Sequence, residues 1–153
     1  LDVWIIQMVL AESVAARLRK HGFKCKTVEI TVRDNGLSSF TRQRHLRQPT
    51  NITDEIVTEA FQLFKDSYKW EHPIRSLGIR AADLVLDDIP VQLDLFGNQE
   101  KKEKLEKLDR TVDEIRRRFG YFSIQRAAMY QDKVLSHLDA GTHTIHPHSY
   151  FHG

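Results

Sequence analysis

A single cysteine, Cys25, stands in this chain of 153 residues, and one thiol closes no internal disulfide. That favours a reducing, cytoplasmic setting, with Cys25 expected as a small buried residue. No apolar run approaches the roughly 20 residues that a membrane-spanning helix needs, so no membrane partner is expected. The enzyme signatures are missing as well: there is no G-x-G-x-x-G, no P-loop, no H-E-x-x-H and no nucleophile elbow. Asp87-Asp88 is the one adjacent pair of aspartates, and its position where a strand meets a linker reads as a solvated strand end. No metal-binding or catalytic residue is assigned. The chain has no initiating Met and opens inside a helical pattern, so it is expected to be part of something longer, with no targeting signal to read.

What is present is a globular composition, 41% hydrophobic and 29% charged, enough to bury a core at this length. The formal net charge is only +2, yet its distribution is uneven. Lys24, Lys26, Arg33, Arg42, Arg44 and Arg47 face only Glu29 and Asp34 between residues 24 and 47, whereas acids dominate from Asp54 to Glu71. One basic and one acidic surface suit a nucleic-acid binder, although a solvated charged face gives the same pattern.

Periodicity supplies the order of elements. Val3, Ile6, Leu10, Val14 and Leu18, widened by Ala11 and Ala15, form a helical stripe, and Gly22 is a natural stop. KTVEITVR alternates strictly, with Val28, Ile30 and Val32 on one side and Thr27, Glu29, Thr31 and Arg33 on the other. Asp34-Asn-Gly36 is a turn in which Asn and Gly tolerate positive φ. Ser38 to Gln48 returns as a second strand, ended by Pro49. A second helix starts at Thr53 as N-cap and carries Ile56, Val57, Ala60, Phe61, Phe64 and Tyr68 on its apolar face, until His72-Pro73 breaks it. Ile74 to Leu86 is a further strand with a bulge expected at Leu77-Gly78. This α-β-β-α-β order predicts an α+β fold, a helix-backed antiparallel sheet of split βαβ type whose first strand lies upstream of Leu1. Beyond Pro90 the spacing of Leu105, Leu108, Val112, Ile115 and Phe119 predicts a charged helix over 99–119, capped by Asn98 and stopped by Gly120. A short amphipathic piece around Ile124 to Val134 precedes a tail with His137, His143, His146, His148 and His152. No carboxylate or thiol stands among the last of these imidazoles, so metal capture there is expected to be adventitious.

Two stretches carry binding chemistry. In FTRQRHLR, Arg42 and Arg44 stand at i and i+2 and so share one side of a strand. With helices on the other face they are expected on a solvent-facing surface near Arg33, where guanidinium groups suit phosphate; pairing with Glu29 is the competing reading. In QLDLF, Gln92 offers an amide and Leu93, Leu95 and Phe96 offer apolar groups between a proline and a Gly-Asn restart. That is the logic of a peptide entering a groove, and folding back onto the neighbouring helix is the alternative.

The stretches AESVAARLRKHGFKCKTVEITVR, SSFTRQRHLRQPT, HPIRSLGIRAADLV, QLDLF and EKLDRTVDEIRRRFG, in this order, resemble the C-terminal part of a bacterial Y-family translesion DNA polymerase of the DNA polymerase IV and UV-mutagenesis type. The resemblance implies that residues 1–88 are a little finger domain lacking its opening strand. Residues 89–98 would be a clamp-binding linker, 99–135 a helical segment and 136–153 a His-rich tail. It implies a sheet face that grips the backbone of template-primer duplex DNA through Arg33, Thr41, Arg42, Arg44, Arg75 and Arg80. Arg42 and Arg44 rest on T-R-x-R and Arg80 on L-G-I-R, while the bulge leaves the facing of Arg75 open. It also implies that Gln92, Leu93, Asp94, Leu95 and Phe96 tether the protein to the replication sliding clamp. No cofactor is implied within this chain, since the two Mg2+ ions of such a polymerase would sit in a domain outside it. Two other readings compete. One is an RNA-binding module, weakened because the strands offer only Phe40 for base stacking. The other is an adaptor that self-associates through 99–119.

Overall fold

The computed structural model describes residues 2–36, 38–69, 72–88, 99–127 and 129. The order is α1 (Asp2–His21), β1 (Phe23–Asp34), β2 (Ser39–Thr50), α2 (Thr53–Ser67), β3 (Ile74–Leu86) and α3 (Gln99–Phe119), closed by a short 3-10 turn at Tyr121–Ser123. The three strands form one antiparallel sheet in the order β2-β1-β3. This is the expected α+β, helix-backed antiparallel architecture. None of the described helices is long and apolar enough to cross a membrane.

Alternation in β1 decides which side is covered. Val28, Ile30 and Val32 are essentially inaccessible and pack with α1 and α2, each contributing about 1.5–3 kcal/mol by leaving water. The alternation breaks at Lys26. Cys25 turns into the core, where burial pushes its thiol up to about 11. Across the sheet, Asp83 takes φ 52, the one positive φ among the described non-glycine residues.

Several local expectations are corrected. The turn at Asp34 uses no positive φ at Asn35 or Gly36. The Asp34 carboxylate instead accepts hydrogen bonds from the amides of Gly36 (2.9 Å) and Ser38 (3.0 Å). Gly36 is needed for closeness: a Cβ there would stand 3.1 Å from the His72 ring. Pro49 does not end β2. The strand runs on to Thr50, which pairs with Cys25 across a register shift, and a sheet edge tolerates a residue without an amide donor. The bulge of β3 lies earlier than Leu77-Gly78. Arg33 pairs with Ser76 and Asp34 with Ile74, so Arg75 is the extra residue. The stripe of α1 is also wider than its spacing suggests. Ile5, Gln7, Met8, Val9, Glu12 and Arg19 are buried too, because α1 is packed by the sheet, α2 and α3 together.

The largest correction concerns how α2 begins and how α3 attaches. Thr53 is the first helical residue rather than the cap, and the cap residue Ile52 makes no side-chain cap bond. The Thr53 amide donates instead to the Asp109 carboxylate of α3, at 2.9 Å. Asp109 also meets Arg19 at 3.1 Å. The Arg19 guanidinium forks onto Asp113 (Nε 2.6 Å, Nη2 2.9 Å) and donates to the Asn51 carbonyl at 2.7 Å. Burial pushes the Asp109 carboxyl above its usual range, and the Thr53 amide and the Arg19 charge oppose that. Arg116 pairs with Glu12 at 2.8 Å, and Arg126 bridges Glu12 and Asp54. Lys102 reaches Gln48 and Glu55, and Arg110 reaches Asp87. α3 is therefore held to α1 and α2 largely by charges, while Leu108 and Phe119 of its apolar stripe stay exposed.

Removing one member of a buried ion pair leaves its partner uncompensated, at about 3–5 kcal/mol. Arg19→Met is therefore expected to lower the unfolding free energy from a urea titration by about 3–5 kcal/mol, read as a lower midpoint, and to strip amide-exchange protection from α3 first. An unchanged midpoint would show that the cluster does not hold α3.

Candidate nucleic-acid interface

The uncovered side of the sheet is assembled by register. Thr27, Glu29, Thr31 and Arg33 of β1 stand opposite His45, Gln43, Thr41 and Ser39 of β2. On the other flank they stand opposite Ala82, Arg80, Gly78 and Ser76 of β3. Residues paired directly across a ladder point to the same face, so these side chains form one surface of hydroxyls, an amide, an imidazole, one carboxylate and two guanidinium groups.

The same register places Arg42 opposite Ile30 and Arg44 opposite Val28, which are core residues. Both arginines therefore leave the edge strand on the helix-covered side and not beside Arg33, as a correction to the facing read from the sequence. Arg44 reaches Glu59 (3.2 Å) and Asp66 (3.3 Å) of α2, and the hydrogen bond to Glu59 holds its guanidinium above the ordinary value. Arg42 lies 5.0 Å over the Phe40 ring and donates to the Thr41 carbonyl. Phe40, opposite Val32, also points to that side and stacks on Tyr68 at 6.3 Å. The strand aromatic on which an RNA-type reading would depend is thus turned away from the open face.

On the open face, Arg80 meets Glu29 at 3.8 Å with its side chain 72% exposed. Arg33 is exposed, Thr41 is exposed and within 3.5 Å of the Thr31 hydroxyl, and Arg75 is exposed at the bulge. At the far end, buried Thr27 donates its hydroxyl to Asp83 (2.6 Å) and lies 2.7 Å from His45 Nδ1. A hydroxyl has one proton, so with it given to Asp83 the imidazole must donate from Nδ1. Sequence reasoning missed this cluster; the signal was Thr27 itself, a polar residue flanked by the core positions Cys25 and Val28. Among the described residues no three carboxylate, imidazole or thiol groups gather as a metal site, so no step of metal-dependent chemistry is derived from them.

Gln92, Leu93, Asp94, Leu95 and Phe96 lie outside the described residues, as do Asn98 and the His-rich tail. The chain before 89–98 is fixed through Asp87, whose amide donates to the Gly22 carbonyl and whose carboxylate meets Arg110. The chain after it is fixed through Lys102.

The model of the impB/mucB/samB family C-terminal domain matches residues 2–95. The chain belongs to this family. Its relatives include DNA polymerase IV of Acetivibrio thermocellus, 43% identical over 137 residues, covering 90% of this chain and 34% of the relative. DNA polymerase IV of Dehalococcoides mccartyi strain 195 is 32% identical over 127 residues, covering 82% and 31%. DNA polymerase IV 2 of Bacillus subtilis is 33% identical over 130 residues, covering 83% and 30%. The chain thus spans about a third of the length of the curated relatives it matches. It carries the C-terminal part of the Y-family pattern that the motifs resemble, and in this impB/mucB/samB domain the open sheet face is built from polar groups.

Thr27→Val keeps the shape of a buried side chain while removing the hydroxyl between His45 and Asp83. It is expected to destabilise by about 1 kcal/mol, the worth of an ordinary hydrogen bond, read as a lower urea midpoint with unchanged slope. A midpoint equal to wild type would mean that the cluster adds nothing to the sheet.

Proposed function

We propose that this chain is the duplex-gripping, clamp-tethered part of a translesion DNA polymerase. The observation that carries this reading is the open, polar sheet face on a member of the impB/mucB/samB family. Such a face fits the sugar-phosphate backbone: guanidinium groups pair with phosphate, and hydroxyls and amides donate to it without reading bases. Arg33, Thr41 and Arg80 occupy the surface itself. Arg75 joins them from the bulge, and Arg42 and Arg44 add positive charge from the rim. A grip of this kind keeps a primer-template seated whatever its sequence, which is what copying a damaged template demands. Residues 1–88 act as the little finger domain, 89–98 as the tether, and 99–135 as the helical brace, with 136–153 as tail. Polymerisation with two Mg2+ ions belongs to the remaining length of such a protein.

In QLDLF, Gln92 anchors by its amide, Asp94 is the polar spacer, and Leu93, Leu95 and Phe96 enter an apolar groove of the sliding clamp. Weak binding at each of two sites combines into stable engagement because the tether raises the local concentration of the sheet face near DNA.

Duplex binding is expected to be sequence-independent, with log K falling against log salt at about −0.9 per neutralised phosphate. Arg33→Ala with Arg80→Ala should reduce that slope by about two. Arg42→Ala with Arg44→Ala should reduce it less, because Arg44 must first leave Glu59 and Asp66. A marked sequence preference in a titration on several duplexes would overturn the assignment.

For the tether, a QLDLF peptide is expected to bind purified clamp with a dissociation constant on the order of micromolar. Leu95→Ala with Phe96→Ala should abolish clamp binding by the whole chain while leaving its melting temperature unchanged. A double variant that melts several degrees lower yet binds the clamp normally would make these residues core.

A further inference from the structure

We propose that the outward face of α3 and the turn after it form a second nucleic-acid site, specific for single-stranded DNA. Its bases would stack on Phe119 and Phe122, and its phosphates would pair with Lys107, Arg117 and Arg118.

The inference starts from how α3 is mounted. An amphipathic helix ordinarily docks through its apolar stripe. Here Asp109, Asp113 and Arg116 face the body of the protein and make the attachment. Leu105, Val112 and Ile115 are half-buried, and Phe119, at the outer groove, is left 74% exposed. Large apolar groups outward on a helix fixed by charge point to a ligand.

The stretch after Asp113 reads EIRRRFGYF, and each residue there has a distinct position. Arg116 is spent on Glu12 and lies 4.5 Å over the Tyr121 ring, which fixes the turn. Gly120, at φ 101 with open space around it, swings the chain so that Tyr121 and Phe122 meet edge to face at 5.1 Å. Phe122 remains 42% exposed. Arg117 and Arg118 extend outward with side chains more than 60% exposed. Beside them runs a shallow groove of about 380 Å³ whose lining includes Lys107, Arg110, Glu114, Ile115, Arg118 and Phe119.

Charge and shape select the occupant. Three cations, Lys107, Arg110 and Arg118, outnumber Glu114 in the groove, so a second copy laid face to face would oppose an excess of like charge. It is too open to hold the deep anchor of a protein hot spot. A flexible polyanion carrying flat rings fits: cationic grooves with exposed aromatics are how single strands are held without sequence preference. Duplex DNA offers the phosphates but keeps its base faces stacked away.

Glu114 sets the strength. It pairs with Arg117 at 2.6 Å and Arg118 at 2.9 Å, and these hydrogen bonds draw its carboxyl down to about 2. It is therefore ionised at working pH, and phosphate must displace it from both guanidinium groups.

The test uses the whole chain, a labelled oligo-dT of about 15 nucleotides, a site size within the range of single-strand binders, and a duplex of equal length. Fluorescence anisotropy is expected to show single-strand binding with a salt slope of about −2 for three phosphates. Phe119→Ala with Phe122→Ala should weaken it roughly tenfold or more, as loss of base stacking does, with duplex affinity unchanged. Glu114→Gln should tighten it several-fold, which removal of a merely structural ion pair would not do. The proposal is overturned if the aromatic variant binds oligo-dT as wild type does. It is equally overturned if sedimentation shows a dimer that Phe119→Ala dissociates while oligo-dT fails to bind. The aromatic variant leaves the sheet face intact, and Arg33→Ala with Arg80→Ala leaves the α3 face intact, so either site can fail without the other.

Discussion

Everything in this protein's arrangement hangs on one buried guanidinium. Arg19, at the end of α1, touches Asp113 and Asp109 of α3 and the Asn51 carbonyl before α2. It therefore ties together three segments that are far apart in the chain. A buried charge is tolerable only when its donors are matched. Each guanidinium nitrogen of Arg19 finds an oxygen, and that requirement fixes where α3 must lie. From that placement follow the trans cap on α2, the half-burial of Leu105, Val112 and Ile115 with Leu108 and Phe119 left exposed, and the anchoring of both sides of 89–98.

The sheet contributes the second constraint. β1 lies between two antiparallel partners, so its two-residue alternation is imposed on both neighbours. Core positions in β1 dictate core-side positions in β2 and β3, and polar positions dictate the open face. A polar surface arises without any dedicated loop, as the by-product of burying Val28, Ile30 and Val32. The polar groups stand on one side of the sheet, and the covered side is left to stability.

How much of this was legible in the sequence depended on how local the deciding interaction was. The spans of β3 and α3 could be read to the residue, since periodicity and the Gly120 stop act over a few positions. The facing of Arg42 and Arg44 could not. It depends on which residue of β1 each one meets, and FTRQRHLR is amphipathic in neither direction. Thr53 looked like a cap because capping is normally supplied from the adjacent residue, whereas here it comes from Asp109, 56 positions later. Arg19 looked like a surface charge suited to a helix terminus, and only tertiary contact with two aspartates reveals it as interior. The apolar spacing of α3 signalled its helix correctly, and Leu105, Val112 and Ile115 of that stripe are half-buried, but it gave no sign that charges would do most of the docking or that Leu108 and Phe119 would stay exposed. The open-face residues Arg33 and Arg80 were legible, Arg33 from alternation and Arg80 from the family motif.

The cap on α2 also has a consequence for the order of events during synthesis. The first amide of α2 waits for a carboxylate 56 residues further along. At about 5–20 residues per second, that delay is several seconds, during which the sheet and both of its covering helices have already been made. Until Asp109 emerges, the Thr53 amide has only water, and Arg19 has the Asn51 carbonyl but no carboxylate of α3. α3, made after the sheet and both of its covering helices, is thus the described element that seals them together, so a nascent chain halted at the end of β3 carries an unfinished domain.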